Sequence, residues 1–171
     1  MFKLIISASF TSFLFGLFGV TWDKVDEKIA TEYPEVPFVS AAQLLDTLSG
    51  PGAGASATDV YLIDVRDPEE YAVSHLSSAQ NLSSAAAISS LVTDKSAPIV
   101  VYCSVGYRSA GVAQELRQLG YRNVRNLQHS LFGWANAGYP MVNAEGTTSQ
   151  VHPFNRAWGS LVAPELRSYT P

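Results

Sequence analysis

The chain has one cysteine, Cys103, among its 171 residues. No intramolecular disulfide can support the fold, and no Cys-x-x-Cys pair offers a zinc or redox site. Histidine is scarce too. His75, His129 and His152 stand far apart, without the spacing of a metal-ligand set, so neither a metal nor a cofactor is expected. Charge is sparse at 15%, with 11 Lys and Arg against 15 Asp and Glu and a net charge of −4. No extended basic run exists, which argues against a nucleic-acid partner. What remains is a 47% hydrophobic chain, the composition of a folded domain of roughly 100–150 residues with extensions. No internal repeat is visible.

Charge is missing altogether between Lys3 and Asp23, a stretch of 19 residues from Leu4 to Trp22. A basic end followed by an apolar run close to the ~20 residues of a spanning helix is the pattern of an export signal or an N-terminal anchor. If it spans, Lys3 favours the N-terminus inside. Ser7, Ser9, Thr11 and Ser12 lower its hydrophobicity, and an apolar helix lying on the domain is the alternative. The matching localisation is membrane-anchored or exported through this segment, against a cytoplasmic alternative.

The segment "DKVDEKIATEYPEVP" is polar and Pro-punctuated, and reads as a connector. In "PFVSAAQLLDTL" a short extended piece leads to a Ser40 N-cap and a helix with Leu44, Leu45 and Leu48 on one side. The Gly/Ala/Ser run from Ser49 to Thr58 reads as a flexible loop. Next come a strand pattern, "DVYLIDVR", and a helix start in "DPEEY", with Asp67 as N-cap, Pro68 at the first position and Glu70 at the capping-box position. "SAQNL" suggests a brief strand, "SSAAAISSLVT" a small-residue helix and "APIVVY" the most apolar strand. The clearest helix is "RSAGVAQELRQLG", with Val112, Leu116 and Leu119 at i, i+4 and i+7 and Gly120 as C-cap. "NVRNL" adds a strand and "SLFGWANAGYPM" a helix. Such alternation implies an α/β fold whose parallel sheet is covered on both faces, with ligands beyond the carboxyl ends of the strands.

Cys103 stands at that end of "PIVVY". Only a few residues separate it from the next helix, and Gly106 lets the chain curl there because it takes positive φ cheaply. A curl of this kind turns backbone N–H groups inward at a helix N-terminus. Those groups, the helix dipole and Arg108 all favour an anionic sulfur, and Ser104 and Ser109 offer hydroxyl donors. Cys103 therefore reads as a nucleophilic thiolate without an obligatory His partner, in preference to a buried cysteine that merely ends a core strand.

"CSVGYRS" resembles the active-site loop of the rhodanese (sulfurtransferase) family, Cys-x-x-Gly-x-Arg-Ser. The likeness extends to "LIDVRDPEEYAVSHLSSAQNL" and to "NLQHSLFGWANAGYPMV", so that three ordered segments cover about Val36 to Val142. It implies a single rhodanese-like domain at 36–142, with five parallel strands flanked by helices. The segment 1–22 precedes it as the apolar piece, 23–35 as the connector, and 143–171 follows as a C-terminal extension. Phe154, Trp158, Leu161 and Val162 of that extension are expected to pack back on the domain, with a partner-docking tail as the second reading. The resemblance makes Cys103 a persulfide carrier between a small sulfur donor, thiosulfate or a persulfide, and a thiol, cyanide or protein acceptor. Ser104, Val105, Gly106, Tyr107, Arg108 and Ser109 would form the loop and its anion-binding surface, with Arg108 helping to hold an anionic donor.

Family strand order also brings Asp64, Arg66 and the Gln128–Ser130 region to the pocket rim. Asp64 and Arg66 are read as an ion pair or loop-ordering contact before direct catalysis. Two departures from the pattern stand out. His75-Leu76-Ser77-Ser78 replaces a turn with Gly before the His and Pro-Gly after it, and His129-Ser130 replaces Gly-Gly. His75 reads as a structural hydrogen-bonding residue, and His129 as steric or structural before acid–base chemistry. The substitution at 129–130 keeps open a low-turnover carrier or partner-binding module. A Cys-based phosphatase is disfavoured, because Cys103 to Arg108 is Cys-x4-Arg, one residue shorter than the loop of the related phosphatases.

Overall fold

The structure, a computed structural model, describes residues 19–49 and 60–170. The apolar N-terminal run up to residue 18 and nearly all of the Gly/Ala/Ser loop lie outside the described residues. Among those described, no helix is long and apolar enough to cross a membrane.

Five parallel strands form the central sheet: β1 (Phe38–Val39), β2 (Tyr61–Asp64), β3 (Gln80–Asn81), β4 (Ile99–Tyr102) and β5 (Val124–Leu127), in the order β1-β5-β4-β2-β3. The central strand β4 pairs Ile63 with Val101 on one side and Val101 with Asn126 on the other. Its residues alternate between the two faces, and both are apolar because both are covered. Val100 and Tyr102 join one core, with α1 (Trp22–Glu32), α2 (Ala41–Ser49) and α6 (Ser130–Asn136). Ile99, Val101 and Cys103 join the other, with α4 (Ala85–Leu91) and α5 (Tyr107–Gln118). The short α3 (Pro68–Val73) follows β2.

Two differences from the sequence reading have physical causes. Residues 23–35, expected as a connector, are mostly helix α1. Its polar composition hides two apolar residues one turn apart, Val25 and Ile29, and both are buried. In α5 the buried residues are Ser109, Ala110, Ala113 and Leu116. Val112 is only half-buried and Leu119 is 52% exposed. Small residues face the sheet there and let the helix approach closely. The extension beyond Val142 is ordered. It contains the antiparallel hairpin β6 (Met141–Asn143) and β7 (Gly146–Thr148), then α7 (Arg156–Gly159) and a 3-10 turn (Pro164–Leu166). Val151, Leu161 and Val162 complete the first core. The Asn136 side chain ties the segment down, donating to the Leu161 carbonyl at 2.7 Å and accepting from the Ala163 N–H at 3.1 Å.

Candidate active site

The curl after β4 runs from Cys103 to Gly106, where φ is +105°, a conformation open to glycine and strained for other residues. Its shape is fixed from behind. Asn126 of β5 donates from Nδ2 to the Gly106 carbonyl at 2.8 Å. Its Oδ1 accepts from the Ser109 hydroxyl at 2.7 Å. From α6, the Leu131 and Phe132 N–H groups donate to the Cys103 and Ser104 carbonyls. The Cys103 N–H donates to Ser130 Oγ at 3.1 Å. Three elements thus hold the loop from behind and leave the Gly106 N–H for the sulfur.

The Gly106 N–H donates to Cys103 Sγ at 3.1 Å. The Ser109 hydroxyl, which donates to Asn126 Oδ1, also favours the anionic form of the sulfur. Burial pushes the Cys103 thiol up, but Arg108, the Ser109 hydroxyl and the N–H groups of Ser109 and Gly106 outweigh it and bring the thiol below its ordinary value. The loop thus favours the thiolate form of Cys103 over that of an ordinary cysteine.

Arg108 does not reach into this bowl as a free cation. Its Nη1 and Nη2 donate to Glu70 Oε2 and Oε1, each at 2.8 Å. Its Nη2 also donates to Ser104 Oγ at 3.0 Å, while the Ser104 hydroxyl donates to Glu70 Oε1 at 2.8 Å. Burial pushes the Glu70 carboxyl up, yet Arg108 and Ser104 hold it below the usual carboxylate range. Asp67 is a second acid nearby, 3.9 Å from Arg108 Nη1.

A cavity of about 160 Å³ lies over the loop, lined by Cys103, Ser104, Val105, Tyr107, Arg108, Phe154 and Trp158. Phe154 and Trp158 belong to the C-terminal extension. The Phe154 ring lies 4.9 Å from the Arg108 guanidinium carbon. Tyr107 turns its hydroxyl to Glu32 of α1.

Of the seven loop residues, Cys103, Ser104, Val105, Tyr107 and Arg108 line the cavity and Gly106 and Ser109 stand behind the sulfur, while the other candidates lie elsewhere. Asp64 and Arg66 are wholly buried, with Arg66 donating to Asp64 from Nε and Nη2 at 2.7–3.1 Å and to the Ser74 carbonyl at 2.6 Å. Neither lines the cavity, and they order the turn behind the site as an ion pair. His129 faces α1. Its Nε2 is 3.0 Å from Asp26 Oδ2 and its ring lies 4.3 Å from that of Trp22. His75 stacks on Tyr71 at 3.8 Å and exchanges backbone hydrogen bonds with Val142. At both departures from the family pattern the backbone keeps a glycine-like conformation: φ is +57° at His129, +46° at Ser130 and +67° at Ser78. A non-glycine residue in this region carries backbone strain of about 1–3 kcal/mol, set at His129 against its contacts with Asp26 and Trp22 and at Ser130 against the hydrogen bond from the Cys103 N–H.

Four site residues, Glu70, Asn126, Phe154 and Trp158, escaped the sequence reading, while Ser130 lay within the expected Gln128–Ser130 rim region. Glu70 was visible only as a capping residue, and its Oε2 does accept from the Asp67 N–H at 3.2 Å. Asn126 and Ser130 support the loop from a strand and a helix far along the chain. Phe154 and Trp158 were expected to pack on the domain, with no signal that they would border the thiol. No cluster of His, Cys, Asp and Glu suited to a metal is present among the described residues.

Comparison with known proteins adds four findings. Residues 40–137 match the model of the rhodanese-like domain family. The chain is 36% identical over 93 residues to a protein named sulfurtransferase from Allochromatium vinosum, covering 54% of this chain and 87% of that one. It is also 36% identical over 87 residues to a thiosulfate sulfurtransferase of Coxiella burnetii, covering 50% and 80% of the two chains. Among solved structures, the rhodanese-like domain of an Anabaena protein aligns at a TM-score of 0.53 and 25% identity, over 63% of this chain and 79% of that one.

Proposed function

For a chain that belongs to the rhodanese-like domain family, we propose a sulfurtransferase that works through a persulfide on Cys103. The Cys103 thiolate attacks the outer sulfur of a sulfane donor such as thiosulfate. The donor's S–S bond breaks, sulfite leaves with the electron pair, and the negative charge passes to the terminal sulfur of the new persulfide. A thiophilic acceptor, cyanide or a thiolate, then attacks that sulfur and releases the Cys103 thiolate. No proton transfer by a His is needed in either half. The loop N–H groups hold the charge in each state, as preorganised donors do for developing charge.

The observation that carries this reading is the Gly106 N–H on Cys103 Sγ at 3.1 Å, inside a loop stabilised by Asn126 and Ser130. The sulfurtransferase names of the relatives from Allochromatium vinosum and Coxiella burnetii support the same chemistry. One observation favours a second reading. Cys103 is 1% exposed beneath its cavity, as befits a persulfide carrier that turns over slowly. Thiosulfate with cyanide as acceptor separates them, using the full chain and Cys103→Ser. Catalytic thiocyanate formation that disappears in the variant is the expected result. Sulfur uptake limited to a single event supports the carrier, and turnover that survives in Cys103→Ser refutes the mechanism.

A further inference from the structure

Donor binding must occur in the cavity over Cys103, and its walls carry information about the donor. Arg108 is the one cationic side chain among the described residues that line it. Both of its terminal nitrogens are taken by the Glu70 carboxylate at 2.8 Å, and Asp67 lies 3.9 Å away. One guanidinium thus faces two carboxylates and the Cys103 sulfur, and the local charge is negative once the thiol ionises. A small dianion entering here meets no uncompensated positive group, and desolvating it is costly. The remaining walls are mostly apolar: Val105 and the rings of Tyr107, Phe154 and Trp158.

The two aromatic residues from the extension are held in place by the local structure around α7. Asn155 Oδ1 caps α7, accepting from the Ala157 and Trp158 N–H groups at 3.0 and 3.1 Å. Gly159 sits so close to Pro153 that an added Cβ would lie 2.9 Å from Pro153 Cβ. Between Pro153 and Asn155, Phe154 takes φ of +62°, strained for an aromatic residue. Its side chain nonetheless remains 41% exposed. The turn sets the ring at the cavity wall, 4.9 Å from the Arg108 guanidinium carbon, with part of its surface left exposed.

We infer that Phe154 and Trp158 determine donor specificity, selecting an organic sulfane donor with an apolar group beside the transferable sulfur, the class of the organic thiosulfonates, over thiosulfate. The inference rests on the sulfurtransferase reading above. The Cys103 thiolate attacks the outer sulfur of R–SO2–S⁻, the S–S bond breaks, and the sulfinate R–SO2⁻ leaves with the electron pair. Cys103–S–S⁻ remains, so total charge is conserved and no further reactant is required. R stacks against the two rings, where an apolar group is stabilised by burial and by ring–ring contact.

Three donors test this on the full chain with cyanide as acceptor. Benzenethiosulfonate carries the ring, methanethiosulfonate keeps the charge and the reacting bond without it, and thiosulfate is the small dianion. In the wild type, kcat/KM is expected to favour benzenethiosulfonate over methanethiosulfonate by about tenfold, the scale on which an apolar pocket discriminates. Thiosulfate should be the poorest of the three. In Phe154→Ala, which removes an exposed side chain, the ratio between the two thiosulfonates should fall toward one, and in Phe154→Ala/Trp158→Ala further still. Because each ratio is measured within one protein, partial misfolding cancels. A wild type that prefers thiosulfate, or a thiosulfonate ratio that Phe154→Ala leaves unmoved, overturns the inference while the sulfurtransferase reading stands. Thiocyanate from none of the three donors overturns both.

Discussion

Replacing Glu70 by Gln removes one charge from the centre of the site and keeps the shape. Glu70 is buried and accepts four hydrogen bonds: two from Arg108 at 2.8 Å, one from Ser104 at 2.8 Å and one from the Asp67 N–H at 3.2 Å. Breaking a fully buried ion pair costs about 3–5 kcal/mol. The Arg108 side chain is one-third exposed, so water recovers part of that, and about 2–3 kcal/mol is the expected loss. For a chain of this size that corresponds to a fall in Tm of about 4–12 °C. The pH dependence has a definite sign. Because the folded carboxyl lies below its ordinary value, its contribution is complete above about pH 4.3 and disappears as pH falls through the folded value. Urea denaturation of both proteins between pH 3 and pH 7 measures this: the gap between wild type and Glu70→Gln should be full near neutrality and close on acidification. A variant as stable as wild type at neutral pH, or a gap that widens in acid, would refute the reasoning.

Other consequences follow from the same geometry. Ser130→Ala leaves the buried Cys103 N–H without its acceptor; a loss of about 1–3 kcal/mol in urea denaturation is expected, together with a thiol that alkylates more slowly at neutral pH as the loop relaxes. A Cβ at Gly133 would lie 2.6 Å from His129 Cβ. Gly133→Ala should therefore destabilise the wild type and be far better tolerated in His129→Gly, a coupling that a double-mutant cycle reads directly; additive effects would contradict it. The lowered Cys103 thiol predicts that the acid limb of iodoacetamide alkylation lies below the ordinary cysteine value of about 8.5. A limb at or above that value would contradict the loop's electrostatics.

How much of this was written in the sequence depends on distance along the chain. The bowl is contiguous from Cys103 to Ser109, so its cysteine, its glycine and the apolar strand before it point to one another. The capping box at Asp67–Glu70 was legible for the same reason. The second role of Glu70 was not, because its partner Arg108 is 38 residues away and nothing local to either announces the pair. Asn126 looks like an ordinary strand residue until β5 is set beside β4. Helix α1 was missed because its two buried apolar residues, Val25 and Ile29, leave a weak periodicity in a mostly polar stretch, and its stability comes from packing rather than propensity. Ile29 there comes within 3.5 Å of where a Gly106 Cβ would lie, so α1 also backs the loop. Phe154 and Trp158 lie beyond the matched residues 40–137, in a stretch whose caps and strained turns only the folded chain reveals.

The central claim is that Cys103 itself carries the transferred sulfur. The most direct measurement is intact-mass and peptide mass spectrometry of the full chain after brief exposure to benzenethiosulfonate or thiosulfate, followed by cyanide. The account predicts one added sulfur atom on the peptide that contains Cys103, none in Cys103→Ser, and its removal by cyanide with one equivalent of thiocyanate. A chain that gains no sulfur from either donor, or that holds it on any residue other than Cys103, would contradict the account.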